Sequence, residues 1–387
     1  MTTTAVRDDR DETLRLLTNT VREFARGELV GAEKEVEKTG EIPERIVAQM
    51  KELGLFGMTV PEEYGGLGLS IFEEVSVVFE IAYASPVFRS YFGTTNGVGT
   101  LGLINFGSPQ QKAKYLARIA SGECMASFSL TEPDAGSDAA SLATRAVRDG
   151  DSFVINGTKR FTTNAIHAGL FTIFARTGTK EDRASGISAF LVERGTPGLS
   201  VTEPYDKMGF RGSHESDVIL EDCRVPASAM LGLEGQGFIN AMTSLDHARL
   251  HMGAVAVGLC ERLIDEGIRY AVERKQFGKP IAQFQLIQAM LADSQAEAFA
   301  ARAMVEKAAR QRDEGRGSSR DSAACKYFAT EAAGRIADQM LQIHGGNGYI
   351  KEYPVERLYR DARLLRIYEG SSQIMQLVIA REMIRGN

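Results

Sequence analysis

Along the chain, the spacing of hydrophobic and polar positions changes character twice. In the first part, apolar residues recur at helical spacing, for example at Leu14, Leu17, Val21 and Phe24. From Met125 onward the pattern becomes short runs rich in β-branched and aromatic residues, separated by Gly, Asp and Pro, which is typical of strands. After "GQGF", long amphipathic helical patterns return and no further strand is predicted.

Three domains follow from this helical, β, helical order. We predict an N-terminal α-helical domain over residues 1–124, a central β domain over residues 125–233 and a C-terminal α-helical bundle over residues 234–387. Asp149-Gly150, between two alternating runs, predicts a hairpin turn inside the β domain. The fold class is therefore α+β multidomain, with an antiparallel β-barrel or sandwich in the middle.

Composition narrows the range of partners. With 45 Lys and Arg against 51 Asp and Glu, the net charge of -6 provides no basic field for nucleic acid. No stretch approaches the ~20 apolar residues of a membrane span, and the N-terminal sequence fits neither a secretory signal nor a transit peptide. The four cysteines are too widely spaced for a CxxC motif and suit a reducing compartment. We expect a cytoplasmic protein that binds neither nucleic acid nor a membrane.

Two familiar types of motif are present only in part, because the neighbouring residues or elements that each requires are absent. In "HARLH", His247 and His251 have the spacing of two metal ligands on a helix, but no third ligand lies at a matching offset. We therefore predict no metal site and interpret both histidines as partly buried polar side chains. The glycine clusters at Gly65 and Gly345 neither follow a strand nor open a helix within a βαβ unit, so a dinucleotide fingerprint is not indicated.

The segment "LTEPDAGSD", residues 130–138, joins a predicted strand to a turn rich in hydroxyl groups. Its backbone N–H groups and Ser137 could hydrogen-bond an anion such as a pyrophosphate. Ordinary turn chemistry explains the same Pro, Asp and Gly residues, and without context it is the preferred interpretation.

The segment "LLRIYEGSSQI" places one acid, Glu369, between two predicted helices. Pro354 begins the first helix, and Ser371 or Ser372 caps the second. Glu369 would lie near the positive end of the second helix, so its position alone favours a helix-end charge over a catalytic base. The buried stripe of the first helix is predicted to be Val355, Leu358, Ala362 and Leu365. That of the second is predicted to be Ile374, Leu377 and Val378.

Ten segments, in order, resemble the acyl-CoA dehydrogenase family, flavoenzymes that oxidise acyl-CoA thioesters to enoyl-CoA. The likeness covers nearly the whole chain, and the helical, β, helical order agrees with the family's three-domain fold. The resemblance implies an FAD enzyme that passes electrons to an electron-transfer flavoprotein and assembles as a homotetramer, a dimer of dimers. The segments are "PEEYGGLGLS", "SLTEPDAGSD", "NGTKRFTTNA", "KMGFRGS", "LEDCRVP", "GQGF", "LDHAR", "ERKQFGKPIAQFQLIQ", "QIHGGNGY" and "RIYEGSSQI".

The resemblance changes the interpretation of Glu369. In the family, a carboxylate of the C-terminal domain removes the α-proton of the thioester while the β-hydrogen leaves as hydride to flavin N5. Glu369 matches that carboxylate, and its N–H would help to polarise the thioester carbonyl. Some members place the base on an earlier helix, at a position that is Ala248 here. Alternatives are a dehydrogenase linked to acyl carrier protein, a flavin oxidase or monooxygenase of the same fold, and a non-catalytic scaffold.

The resemblance also assigns residues to the cofactor and the substrate. The positions around the flavin ring and pyrophosphate are Phe128, Leu130, Thr131, Gly136, Ser137, Phe161 and Thr163. The positions toward the adenine and phosphate end, partly contributed by a neighbouring subunit, are Arg274, Phe277, Gln285, Gln342 and Gly346. Further FAD contacts after the base are Ser371 and Gln373. The substrate-side positions are Ser137, Arg249 and Gly370, and a salt bridge to Asp246 is the structural alternative for Arg249.

Arg89, in "VFRSYFGTTN", lies where the acyl tail ends in the family. Glutaryl-CoA dehydrogenases carry a Tyr-Arg-Ser there, and the spacing from Arg89 to "FGSPQQK" is similar without a gap. Our hypothesis is that Arg89 meets a distal carboxylate or another polar group, because an arginine fork suits a carboxylate. A surface arginine paired with an acid is the alternative.

Overall fold

The computed structural model describes residues 2–385, with side chains described from residue 10 onward. The N-terminal part is helical, as predicted. Its helices begin where the local chemistry satisfies their first N–H groups: Ser70 and Glu73 form a capping box at α4, and Ser108 and Gln111 form another at α7. The helices are α1 (Thr2–Phe24), α2 (Val30–Thr39), α3 (Glu44–Glu52), α4 (Ile71–Ile81), α5 (Pro86–Asn96), α6 (Val98–Phe106) and α7 (Pro109–Ala120).

The middle part is one seven-stranded curled sheet with strand order β1-β4-β2-β3-β7-β6, and β5 pairs with β4. The predicted hairpin is confirmed: Asp149 pairs with Ser152, and Gly150 has the positive φ of +60° that such a turn requires. The strands are β1 (Met125–Ser129), β2 (Arg145–Asp149), β3 (Ser152–Thr163), β4 (Ala168–Arg176), β5 (Ile187–Glu193), β6 (Leu199–Val201) and β7 (Glu215–Pro226).

The sheet is not antiparallel throughout. The pairs β2–β3, β3–β7, β4–β5 and β6–β7 are antiparallel, but β1 runs parallel to β4. The strand that leaves the N-terminal helices therefore adds to the sheet beside β4 instead of forming a hairpin. This pairing carries the end of β1 toward the end of β3, where the Ser127 hydroxyl donates to the Thr163 carbonyl at 2.7 Å.

The C-terminal part is a helical bundle with one short hairpin. We predicted no strand after "GQGF", and this was wrong, because β8 and β9 form a two-stranded hairpin with Phe277 and Gly278 at its turn, both at positive φ. Two-residue strands are too short for a periodic pattern. The elements are α8 (Gly237–Glu273), β8 (Lys275–Gln276), β9 (Lys279–Pro280), α9 (Gln285–Asp313), α10 (Ser319–His344), α11 (Pro354–Leu365) and α12 (Ser372–Arg385).

One close crossing joins the N-terminal helices to the bundle. At Gly258 of α8, a Cβ atom would lie 2.5 Å from the carbonyl oxygen of Phe79 in α4, so only glycine allows this approach. The crossing brings the buried acid Glu74, one turn earlier in α4, against the preceding turns of α8. The four cysteines are free and buried. Within residues 2–385 we find no helix whose length and hydropathy would let it cross a bilayer.

Candidate active site

An open cleft of about 350 Å³ lies where all three domains meet. Helices α5 and α6 form one wall, the end of β3 contributes Thr163, and the bundle contributes Ala248 of α8 and the turn after α11. Asn164 fastens these walls together, because its side-chain amide donates to the carbonyls of Ser90 and Tyr91 in α5 at 3.1 and 3.0 Å. The lining residues are Arg89, Ser90, Gly93, Thr94, Gly97, Val98, Thr163, Ala248, Tyr368 and Glu369.

The turn that carries Glu369 is built from two helix ends. Pro354 is the first residue of α11, as predicted, and the Ser371 hydroxyl accepts from the N–H of Ile374 at 3.4 Å at the start of α12. Between them Glu369 and Gly370 have φ values of +55° and +91°. A left-handed backbone at a non-glycine residue costs on the order of 1 kcal/mol or more and persists only where the surroundings enforce it.

The packing under this turn differs in one respect from the prediction. The predicted buried stripe of α11 is confirmed at all four positions. In α12, Leu377 is 65% exposed, and Met375 takes the buried place beside Val378. Met375 also fixes the turn itself, since a Cβ atom on Gly370 would lie 2.5 Å from the Met375 Cε.

The carboxylate of Glu369 is enclosed without a hydrogen-bond partner. Although Glu369 as a residue is only partly buried, its Oε2 is inaccessible to solvent and unpaired within residues 2–385. Burial raises the pKa of Glu369, and the nearby cations Arg89, Lys326 and Arg249 oppose that rise. The Glu369 N–H likewise makes no hydrogen bond within the described chain. Both groups therefore have no hydrogen-bond partner among the described residues.

Lys326, which our sequence analysis missed, supports the turn from below. It is fully buried on α10, and its ammonium donates to the Gly370 carbonyl at 2.6 Å. Burial lowers the pKa of Lys326 to about 8, while Glu369 favours the charged form. The available signal was a lysine on the apolar face of a predicted helix, in "AACKYF".

Arg89 lies in the cleft and not on the surface. It is 7% exposed, forms no salt bridge among the described residues, and its Nε is buried without a partner. Its Nη2 lies 2.7 Å from Nδ1 of His251. The alternative of a surface arginine paired with an acid is therefore wrong.

The two histidines of "HARLH" converge on one buried acid. Nε2 of His247 lies 2.7 Å from Glu74 Oε2, and Nε2 of His251 lies 2.6 Å from Oε1. These three residues have the composition of a metal site. However, arginine can only donate, so Nδ1 of His251 must accept from Arg89, and the ring proton is then on Nε2. A protonated Nε2 cannot ligate a metal ion, so the contacts are those of a buried polar network. In it His247 hydrogen-bonds Glu74, and His251 Nε2 lies beside the same carboxylate without hydrogen-bond alignment.

The predicted substrate-side positions Ser137, Arg249 and Gly370 are not among the residues that line the cleft. Ala248 lines it and offers no proton acceptor, so Glu369 is the carboxylate on the bundle side. The guanidinium of Arg249 contacts Asp246, as the structural alternative predicted, and yet its Nε is buried and unpaired. Arg249 therefore combines a structural ion pair with a cationic influence on Glu369.

The positions predicted for the flavin ring lie at the neighbouring ends of β1 and β3, and one of them, Thr163, lines the cleft. Phe128, Leu130 and Thr131 follow one another at the end of β1, and the carbonyl of Thr131 accepts from the Arg160 N–H at 2.7 Å. That bond brings the β1 end beside Phe161 and Thr163 of β3. Phe161 has a φ of +56°, is 58% exposed and packs its ring 5.3 Å from that of Tyr205.

The turn after β1 is open. Gly136 and Ser137 are exposed, and a Cβ atom on Gly136 would meet nothing within 4 Å. The exposed ring of Phe161 on β3 and the exposed turn at Gly136 and Ser137 after β1 have the chemistry to hold a flat ring system with an anionic tail.

The positions predicted for the adenine end lie elsewhere on the chain, on the surface of the bundle. Tyr270 stacks on His344 with 4.2 Å between ring centroids, which joins the end of α8 to the end of α10. None of the five positions predicted for the adenine end lines the cleft described above. They are Arg274, Phe277, Gln285, Gln342 and Gly346, all exposed. Of the two positions after the base, Ser371 caps α12 and Gln373 is exposed.

Models of three protein domains match the chain in succession. The N-terminal domain of acyl-CoA dehydrogenases matches residues 11–123, the middle domain residues 127–223 and the C-terminal domain residues 235–384. The chain belongs to the acyl-CoA dehydrogenase family. It is therefore an oxidoreductase with the acyl-CoA dehydrogenase fold that the resemblance predicted.

Individual members of the acyl-CoA dehydrogenase family align over nearly the whole chain. A probable acyl-CoA dehydrogenase of Bacillus subtilis is 44% identical over 365 residues, which is 94% of this chain and 96% of the relative. An NADH-dependent acryloyl-CoA reductase of Anaerotignum propionicum is 42% identical, with 96% and 94% covered.

Solved structures of the family agree closely in shape. A chain in the structure of the electron transferring flavoprotein of Acidaminococcus fermentans has a TM-score of 0.93 at 37% identity, covering 96% of this chain and 98% of that one. A glutaryl-CoA dehydrogenase bound to glutaryl-CoA has a TM-score of 0.92 at 36% identity, covering 97% and 96%.

Proposed function

We propose that this member of the family catalyses the FAD-dependent α,β-dehydrogenation of an acyl-CoA thioester to the trans-2-enoyl-CoA, with Glu369 as the base. The observation that carries the proposal is the Glu369 carboxylate, enclosed in a cleft between three domains with Oε2 unpaired. A carboxylate that makes no hydrogen bond has its lone pairs available for a proton. Burial makes it more basic than a surface glutamate.

The neighbours of Glu369 divide the remaining work. Burial raises the pKa of Glu369, and Arg89, Lys326 and Arg249 oppose that rise, which favours the ionised form that can accept the α-proton. The free N–H of Glu369 would donate to the thioester oxygen as negative charge develops there. The buried surroundings of Oε2 have a lower dielectric than water, which strengthens electrostatic interactions there. Bound FAD would accept the β-hydrogen as hydride.

The proposed cofactor residues fall into two groups. Phe128, Leu130, Thr131, Phe161 and Thr163 would surround the ring at the cleft edge. The open turn at Gly136 and Ser137 would hold the pyrophosphate, and Ser371 and Gln373 would add contacts beside the base. The exposed positions on the bundle would complete the adenine end of a neighbouring copy's site. They are Arg274, Phe277, Gln285, Gln342 and Gly346.

The first test of this function is anaerobic mixing of the purified protein with acyl-CoA thioesters. We expect a yellow protein whose flavin absorbance near the blue region is lost on mixing and returns only slowly in air. A colourless protein that takes up no FAD contradicts the proposal. Rapid reoxidation in air would instead indicate an oxidase of the same fold, and bleaching only by carrier-protein thioesters would indicate the carrier-linked alternative.

We further propose that Arg89 selects substrates with an anionic or polar group at the end of the acyl chain. Its guanidinium is buried at the cleft wall with Nε unpaired, and a buried donor without an acceptor is destabilising until a ligand supplies one. The similar glutaryl-CoA dehydrogenase, which was solved with glutaryl-CoA, supports a dicarboxylic thioester as the first candidate.

Glutaryl-CoA and pentanoyl-CoA test this selection, because the two chains have the same length and differ only in the distal carboxylate. We expect wild type to prefer glutaryl-CoA, and Arg89→Ala to reduce that preference roughly 10- to 100-fold, the worth of a charged hydrogen bond. Ser90→Ala is the matched control, since Ser90 lines the same cleft without a charge. A wild type that prefers pentanoyl-CoA, with Arg89→Ala unchanged, contradicts the selection.

Two partners are part of the proposal. We propose an electron-transfer flavoprotein as the electron acceptor, on the strength of the similar chain in the structure from Acidaminococcus fermentans. We also propose a homotetramer, a dimer of dimers, because large apolar side chains stand exposed on the bundle. They include Phe277 at 92%, Leu286 at 79% and Phe299 at 71% exposed. A fully active monomer in light scattering would contradict the tetramer.

The same reaction in reverse, reduction of an enoyl-CoA, is a second candidate because one relative at 42% identity is an acryloyl-CoA reductase. A base that removes the α-proton in one direction returns it in the other, so both candidates require Glu369. Measuring both directions with electron-transfer flavoprotein, oxidised or reduced with NADH, separates them by the faster rate.

A further inference from the structure

A continuous line of side chains runs from Glu74 in α4, through His251 in α8, to Arg89 in the cleft. Glu74 Oε1 lies 2.6 Å from Nε2 of His251, and Nδ1 of the same ring lies 2.7 Å from Nη2 of Arg89. All three residues are buried. The imidazole thus separates a carboxylate from a guanidinium that would otherwise form a direct ion pair.

The protonation of the line follows from its donors. Arg89 can only donate, so Nδ1 of His251 accepts and the single ring proton is on Nε2, which lies 2.6 Å from Glu74 Oε1 without the alignment of a hydrogen bond. Burial also lowers the pKa of His251 to about 4, which agrees with a neutral ring at physiological pH. The imidazole therefore has one tautomer and a fixed orientation.

Glu74 is itself held from more than one side. The Asn96 amide donates to its Oε1 at 2.7 Å, and Nε2 of His247 lies 2.7 Å from its Oε2. Asn96 is fully buried, and its own Oδ1 accepts from the Thr59 N–H at 2.9 Å. The Glu74 carboxylate is therefore held rigidly, and its contact with His251 restricts the position of the imidazole.

We propose that His251, oriented by Glu74, is a positioning residue that holds the Arg89 guanidinium in the cleft and leaves its positive charge available to the acyl tail. A carboxylate in direct contact with Arg89 would occupy the N–H groups of the guanidinium and neutralise its positive charge. A neutral imidazole instead takes one N–H and leaves the others, including the unpaired Nε, for a ligand. The proposal rests on the proposed function of Arg89 and explains how that residue is made available.

The chain provides its own controls. His247 contacts the same carboxylate as His251 but reaches no arginine, so His247→Asn disturbs Glu74 without touching Arg89. At position 251, His251→Asn keeps an acceptor in place of Nδ1, because the amide oxygen can take its role, whereas His251→Leu removes it. Comparing these variants separates the positioning of Arg89 from general damage to the network.

The experiment compares KM and kcat for glutaryl-CoA and pentanoyl-CoA in the holoenzyme. We expect His251→Leu to reduce the preference for glutaryl-CoA by about tenfold, mainly through KM, as for loss of a hydrogen bond to a charged group. His251→Asn and His247→Asn should keep most of the preference. In an Arg89→Ala background, His251→Leu should reduce it no further, because the two residues act as one unit.

Equal losses with both thioesters, or a further loss in the Arg89→Ala background, overturn the proposal. If Arg89→Ala alone leaves the preference unchanged, the anion contact is wrong, and crystal structures then decide the positioning separately. In the His251→Leu holoenzyme, a guanidinium displaced from its wild-type position supports the proposal, and an unmoved one overturns it.

Discussion

Two buried groups of charges flank α11, and they are paired in opposite ways. On one side Glu33 accepts from the Ser85 N–H at 2.9 Å and from Arg357 at 2.5 Å, and Arg262 lies 3.3 Å away. On the same side Asp361 accepts from the Ser85 hydroxyl and the Phe210 N–H. On the other side, Glu369 has three cations in its surroundings and no hydrogen bond to its Oε2.

The difference separates the acids that hold the fold together from the acid that we propose as the base. Glu33 and Asp361 tie α2, α5, α11 and the loop at Phe210 together, so their lone pairs are used within the fold. Glu369 is desolvated and left unpaired, an arrangement that is destabilising for folding and useful for chemistry. Substitutions should therefore affect activity at one group and stability at the other.

The largest expected effect is that of Glu369→Gln. Removing the base should lower the dehydrogenation rate by roughly 10²- to 10⁴-fold, the usual contribution of a positioned general base. FAD content and thioester binding should persist, because the amide has nearly the shape of the acid. Stopped-flow flavin reduction measures the rate, and calorimetry should find a melting temperature at or above that of wild type. Near wild-type turnover would mean that the base lies elsewhere.

Glu33→Gln should have the opposite outcome. The amide leaves the buried Arg357 guanidinium without its carboxylate, while Arg262 keeps Glu266 at 2.9 Å, and breaking a buried ion pair typically costs about 3 kcal/mol. We expect a clear fall in melting temperature, with flavin reduction per intact site nearly unchanged at low temperature. Glu35→Gln, on the exposed face of the same helix, is the matched control. A loss of activity without a loss of stability would contradict the division of roles.

Lys326→Met is expected to give the smallest of the three effects. It tests how activity and stability both depend on the turn that carries Glu369. Loss of the contact to the Gly370 carbonyl should loosen the turn and lower turnover roughly 10-fold, since small misplacements of reacting groups are costly. Lys326 also opposes the raised pKa of Glu369, so its removal should raise that pKa further. Because the base works deprotonated, the acid limb of the pH–rate profile should move to higher pH. An unshifted limb would leave Lys326 a purely structural role.

Much of the fold was predictable because each element carries a local signal. The stripe Val355, Leu358, Ala362 and Leu365, the Asp149-Gly150 turn and the serine cap before α12 depend on residues close together in sequence. Leu377 and Met375 show the limit of such signals. Both are apolar and two positions apart, and contact with Ala323 of α10 determines which of them is buried.

The site was harder to predict because its contacts join distant segments. Spacing placed His247 and His251 on one helical face, but their common partner Glu74 lies more than 170 residues earlier, in α4. The parallel pairing of β1 with β4 also depends on how the β domain meets the helices. Glu369 was predicted as the base through the resemblance, since its position alone indicated a helix-end charge.

The left-handed backbone at Glu369 also limits which acid can stand there. Asparagine and aspartate tolerate such a conformation better than glutamate does, because their short side chains can hydrogen-bond locally. An aspartate would therefore suit the turn, yet its carboxylate would stop one methylene group short of the cleft. The position therefore carries glutamate, which has the longer side chain but adopts this backbone conformation less readily. Distance to the proposed substrate outweighs local conformational preference.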